Sequence, residues 1–173
     1  RVFRNGEPVP LAAWQSRKAR DVFKMLVGRR GRPTARDVLM EALWPEQSPD
    51  KLGNRLSVLL STVRSVLDPA KRHGPDHFVV ADRNAVWLDT DHVSLDVSAF
   101  LEAAGDALAL RRARDPRAHD QLVAAEAVYT GDFLEEDAYQ DWAIGLREES
   151  RALYTHVVRA LAEDAMRDGE TDA

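Results

Sequence analysis

Two hairpin signals bracketing three amphipathic helices, followed by helical period alone, predict a mostly α fold with small β-hairpins. The reading is an N-terminal winged helix-turn-helix over residues 1–92 followed by an all-α half over 93–173. Charge divides at the same place. From Arg1 to His92 there are 16 Lys and Arg against 11 Asp and Glu, a charge of +5, whereas Val93 to Ala173 holds 8 against 18, a charge of −10. Such asymmetry suggests that the first half meets a polyanion and the second does not. Two small domains drifting to opposite charge is the blander reading of the same split.

The elements follow in order. Between Val2 and Leu11, "RNGEP" places Asn-Gly between two short apolar stretches, the strongest short-range hairpin signal. From about Gln15 to Arg29, Ala19, Val22, Phe23, Leu26 and Val27 share one face with basic residues opposite, which predicts a helix ending near Gly28 or Gly31. "RPTARDVLMEALWP" predicts a second, short helix with Thr34 as N-cap, Asp37 in its first turn and a proline stop. After the loop "PEQSPDKLG", the positions Leu52, Leu56, Leu59, Leu60, Val63, Val66 and Leu67 form a stripe with offsets of three and four, a third helix that Asp-Pro ends. "FVVADRNAVWLD" then reads as a second hairpin around "DRNA". In the winged arrangement the third helix enters a DNA groove and this hairpin is the wing.

From Asp96 the segments "DVSAFLEAAGDALAL", "PRAHDQLVAAEAVYTG" and the long run from Asp137 to Gly169 are helical. Paired helices that need each other's apolar faces are how helical-repeat modules are built. The chain opens on "RVFRNG" without methionine and closes on "RDGETDA", and the expectation is a piece of a longer parent.

The block from "LAAWQSRKARDVF" through "EALWP" to "NRLSVLLSTVRSVLDP", followed by "YTGDFLEEDAYQDWAIGLREESRALY", resembles the Streptomyces antibiotic regulatory protein family. Those proteins join an OmpR-type winged helix to a bacterial transcriptional activator domain. The two signatures stand in the family's order and span nearly the whole chain. The resemblance implies a transcription regulator, most often an activator, with residues 1–92 as the OmpR-type DNA-binding domain and 93–173 as a truncated, tetratricopeptide-like activator domain. It implies double-stranded DNA as ligand, with RNA polymerase and a second protomer as protein partners. Where family members commonly carry "SRLRR", this chain has "STVRS", so Thr62 and Ser65 stand at positions that are often basic. Modest affinity for a single site is therefore expected, with help from dimerisation or a partner.

If the leucine stripe of the third helix faces the core, Asn54, Val58, Ser61, Thr62 and Ser65 lie opposite, with Arg55 and Arg64 on the flanks. Asn reads adenine bidentately, Ser and Thr contact base edges or phosphates, and a valine methyl packs on a thymine methyl. Phosphate contacts are expected from Lys71 and Arg72 before the wing, from Arg83 and Asn84 at its tip, and from Arg36 beside Arg32 and Thr34 at the start of the second helix. Arg17, Lys18 and Arg20 are weaker candidates. A solvated helix face is the competing reading throughout. Trp44 and Trp142 are expected in the core, with Trp14 and Trp87 as further core or anchoring residues.

Other chemistry is not signalled. With no cysteine there is neither disulfide framework nor thiolate chemistry, and a reducing, cytoplasmic setting fits. No 18-residue apolar run occurs, so no membrane partner is expected. His73 and His77 are four apart in a loop but lack a third ligand for zinc. Glu135, Glu136, Asp137 and Asp141 could hold a divalent cation but read better as a solvated face. No phosphate-cradling glycine motif or nucleophile elbow is present, so the chain is expected to be non-enzymatic and to need no cofactor. The competing functional reading is a protein-interaction or signal-transmitting module whose winged helix is a docking surface.

Overall fold

The computed structural model describes residues 1–48 and 52–171, with side chains through residue 167. Residues 49–51 of the predicted loop before the third helix lie outside the described residues. The chain divides into two compact units, Arg1–Val93 and Ser94–Ala173.

In the first unit β1 (Phe3–Arg4) pairs antiparallel with β2 (Glu7–Pro8). Asn5 and Gly6 between them have φ of 52° and 83°, the two positive values that a tight hairpin turn requires. A 3-10 turn over Leu11–Trp14 leads to α1 (Arg17–Arg29), whose Ser16 N-cap accepts from the Ala19 amide at 3.4 Å. The helix ends through Arg30 and Gly31, both left-handed. A Cβ on Gly31 would lie 2.7 Å from the Thr90 methyl, so only glycine fits that turn.

One expectation fails here. Thr34 is not the N-cap of the second helix: Thr34–Ala35 form a strand, β3, which pairs with β5, and α2 (Arg36–Leu43) starts from Ala35 without a side-chain cap. The β-branched Thr34 is buried opposite Val86, and sheet pairing satisfies backbone groups that an N-cap would have left to its side chain. The hydroxyl itself has no hydrogen-bond partner among the described residues.

The third helix, α3, covers Gly53–Leu67. Its stripe packs as the period requires: Leu52, Leu56, Leu59, Leu60, Val63 and Val66 are buried, with Leu67 partly so. Facing it, α1 contributes Ala19, Val22, Phe23 and Leu26. The second hairpin is β4 (Val79–Ala81) with β5 (Ala85–Leu88), so a three-stranded sheet runs β3-β5-β4. Trp14 and Trp44 are buried, while Trp87 is only partly so.

The second unit contains α4 (Asp96–Arg112), α5 (Ala118–Val128) and α6 (Asp141–Thr171), and α6 runs through Gly169 where a stop was expected. Phe100, Ala104, Ala107, Leu122, Ala125, Val157 and Ala160 form its core, four alanines letting the helices approach closely. Tyr129 stacks on Tyr154 at 4.1 Å, and its hydroxyl donates to Asp132. Burial and that carboxylate push the Tyr129 phenol up to about 12. Trp142 is only half-buried, donating to Gln140 Oε1, which corrects the expectation of a core tryptophan. It sits one residue into α6, at the start of the helix.

Two features explain the connections. Arg147, 7% exposed, donates to the carbonyls of Phe133, Leu134, Asp137 and Ala138, so the "GDFLEEDA" segment is folded around one guanidinium. The α4–α5 turn closes by paired bonds from the Arg114 amide to Arg111 O and from the Asp115 amide to Leu110 O, with Arg114 left-handed at φ 57°. Among the described residues no helix is long and apolar enough to cross a membrane.

Replacing Arg147 with Met should lower urea stability by about 3 kcal/mol, because several buried carbonyls lose a charged donor; a loss within experimental error contradicts this role. Arg114→Gly should raise stability by up to about 1 kcal/mol by relieving the left-handed backbone, read as a higher Tm.

Candidate nucleic-acid interface

Helical geometry sets the outer face of α3. With Leu56, Leu60 and Val63 held inward, positions 54, 58, 61 and 65 line up on the far side. Asn54, Arg55, Val58, Ser61 and Ser65 are exposed, Val58 by 64%, and Thr62 is half-exposed. Asn54, Ser61 and Ser65 have no side-chain partner among the described residues. The Thr62 hydroxyl donates to Val58 O at 3.1 Å, which uses its proton and leaves an acceptor facing outward. A helix of this length spans about 22 Å and fits a major groove about 12 Å wide.

The arginines behave differently. Arg64 Nε and Nη2 donate to Val79 O at 3.2 and 2.8 Å, and Nη2 also meets Asp76 at 2.8 Å. This guanidinium fastens the first wing strand to α3. Arg36 donates to Ser57 Oγ at 3.2 Å and Asp82 O at 3.4 Å, and its amide donates to Asn84 O at 2.8 Å, joining the start of α2 to α3 and the wing tip. Arg55 donates to Gln47 Oε1 at 2.7 Å. The spacing expects Arg36 on phosphate and Arg55 and Arg64 on the flanks of α3; the guanidinium of Arg36 instead reaches a carbonyl 46 residues away, beyond any local pattern.

Arg83 and Asn84 are exposed at the wing tip. The Asp82 carboxylate accepts the Asn84 and Ala85 amides, both at 2.7 Å, which fixes the turn and lowers the Asp82 pKa. Lys71 and Arg72 are exposed in the loop after α3. There Asp68 accepts the His73 amide at 2.8 Å, and that bond lowers its pKa. Of the weaker candidates, Lys18 is exposed but engaged, donating to Leu43 O with its ammonium 5.2 Å from the Trp44 ring. Arg32 Nε donates to Arg29 O at 3.2 Å.

The structure adds a residue to the histidine pair of that loop. His73 and His77 stack with ring centroids 3.9 Å apart, and His92, after β5, lies 3.8 Å from His77. The fifteen-residue separation of His77 and His92 is closed by the hairpin, which no spacing rule would suggest. Among the described residues no group of three or more His, Asp or Glu side chains is arranged to hold a metal ion. His92 Nδ1 meets Asp89 Oδ2 at 3.0 Å. Desolvation, with repulsion from His73 and His92, lowers the His77 pKa against the opposing attraction of Asp89 and Asp68.

No protein-family model matches the chain, and no curated protein matches it. Among solved structures it is similar to Mycobacterium tuberculosis EmbR, determined in complex with a low affinity phosphopeptide, with a TM-score of 0.77 and 24% identity. The match covers 95% of this chain and 43% of that one, so the chain spans less than half the neighbour's length. The likeness shows the fold, a winged helix followed by a helical domain.

Because its pKa is lowered, His77 contributes stability that is present above its unfolded value of 6.5 and lost as pH falls through the folded one. Tm should therefore drop on acidification below about pH 6.5, and His77→Gln should flatten that segment of the profile. An unchanged profile would mean that the stack does not resist protonation.

Proposed function

We propose that the chain is a sequence-reading, DNA-binding transcriptional regulator, an activator that lays α3 in the major groove. The observation that carries this reading is the outward stripe of α3, with Asn54, Ser61 and Ser65 unpartnered and Val58 exposed beside them. Asn54 is assigned to an adenine edge and Val58 to a thymine methyl, with Ser61, Thr62 and Ser65 on base edges or phosphates. Lys71, Arg72, Arg83 and Asn84 meet phosphates from either side of the wing, while Arg36, Arg55 and Arg64 position the elements that carry the contacts. The acidic residues 94–173 are the part that meets protein, with RNA polymerase and a second copy of the chain as candidates. The +5 charge of the first half supports the polyanion, and the −10 of the second argues against its lying along the same duplex.

A second reading, in which the winged helix docks protein and reads little DNA sequence, is favoured by the internal engagement of Arg36, Arg55 and Arg64. Selection on a random duplex pool, followed by anisotropy titration of the winner and a scrambled control, separates the two. Regulation through DNA requires a specificity ratio of about 10³ or more. Equal binding of winner and scramble selects the docking reading.

Within the first reading, Asn54→Ala should cost about 1–3 kcal/mol of discrimination at one base pair. Arg83→Ala and Lys71→Ala should each reduce the slope of log K against log salt by about 0.9 while leaving sequence preference intact. Arg64→Ala, by contrast, should lower stability and weaken all duplexes alike; a change in slope without loss of stability would make Arg64 a phosphate contact instead.

A further inference from the structure

The second unit holds a groove of about 1000 Å³ between the α4–α5 turn and the C-terminal half of α6. Five of the eight arginines in residues 93–173 line it: Arg111, Arg112, Arg114, Arg159 and Arg167. In a half whose net charge is −10, positive charge is gathered in one place.

Two carboxylates in the groove are already shared among three of these cations. Glu163 accepts from Arg111 at 3.0 Å and Arg159 at 2.9 Å; Asp164 accepts from Arg111 at 3.1 Å and Arg167 at 3.5 Å. His119 lies 3.8 Å from Asp164. The other lining carboxylate, Asp115, is gripped by Arg117 at 2.9 and 3.0 Å and held down at about 2. Arg112 and Arg114 are exposed and have no carboxylate partner among the described residues. Cations therefore exceed the anions available to them.

Arg114 carries a second, independent signal. It occupies the left-handed position that closes α4, at φ 57°, where glycine is the residue of least strain. A long cation is held there against the backbone preference. The wall behind it has one accessible apolar side chain, the half-buried Leu108, set over the buried Ala118 and Ala160, so the groove offers guanidinium groups beside a small apolar contact.

We propose that this groove docks an acidic segment of a protein partner, its carboxylates taken by Arg112 and Arg114 and an apolar side chain by Leu108. This rests on the reading of residues 94–173 as the half that meets protein. Duplex DNA fits the groove less well, because a phosphate backbone brings no apolar groups and would run along a unit of charge −10. A short peptide is bound within one Debye length, about 8–10 Å, of the arginines themselves.

The test uses the whole chain and a fluorescein-labelled peptide of about a dozen residues, Asp and Glu with Leu interspersed, beside its Asn and Gln counterpart. The acidic peptide should bind about tenfold or more tighter, with the advantage shrinking as salt rises. The double variant R112E/R114E should lose that advantage. Arg114→Gly should weaken peptide binding with Tm at or above the parent's, which separates docking from folding. Equal binding of the two peptides, or parental affinity in R112E/R114E, overturns the proposal. So does a loss confined to duplex DNA in the same variant, which would make the groove part of the DNA surface. Capture of RNA polymerase by wild type and R112E/R114E alike, with no peptide binding, overturns the groove and leaves the partner-contacting reading standing. Peptide binding without polymerase capture upholds the groove and removes polymerase as the partner.

Discussion

Burial of one leucine-rich stripe on α3 fixes the rest of the first unit. Leu56, Leu60 and Val63 are almost wholly removed from water, each contributing roughly 1.5–3 kcal/mol, and they do so against Ala19, Val22 and Leu26 of α1. Once those side chains point inward, the 3.6-residue period leaves Asn54, Val58, Ser61 and Ser65 no choice but to point outward. Rotating the helix to hide Val58 would expose several leucines. A 64% exposed valine is thus tolerated because the opposite face is worth far more.

The arginines convert that helix into a platform. Arg64 ties α3 to Val79 O at the first wing strand, and Arg36 bridges Ser57 of α3 to the turn at Asp82. A guanidinium with several donors in a rigid plane suits this work, since it can satisfy carbonyls that the short three-stranded sheet leaves over. The consequence is a face poor in free cations on the helix itself, with exposed positive charge displaced to Lys71, Arg72 and Arg83 around it.

In the second unit the same side chain solves a different problem. In the loop between α5 and α6 the buried Arg147 donates to the carbonyls of residues 133, 134, 137 and 138, of which 134 and 137 also accept the Asp137 and Gln140 amides. At the opposite connection Arg114 accepts a strained backbone, and three nearby arginines share two carboxylates. One connection is saturated with acceptors and the other with donors.

The sequence by itself determined the helices, the hairpins and the face of α3, because period, turn residues and proline stops are local and each helix has a single apolar side. Asn54, Val58, Ser61 and Ser65 could be placed outward from spacing alone. The tertiary structure decided what local pattern cannot contain: that Thr34 pairs in a sheet with Val86, that Arg36, Arg55 and Arg64 are spent on carbonyls and neighbours, and that His92 joins His73 and His77. Long polar side chains choose among partners brought together only by chain closure, and strand pairing satisfies backbone groups across fifty residues. Hydrophobic period is written along the chain; the destination of a guanidinium is fixed only when the fold has placed the acceptors.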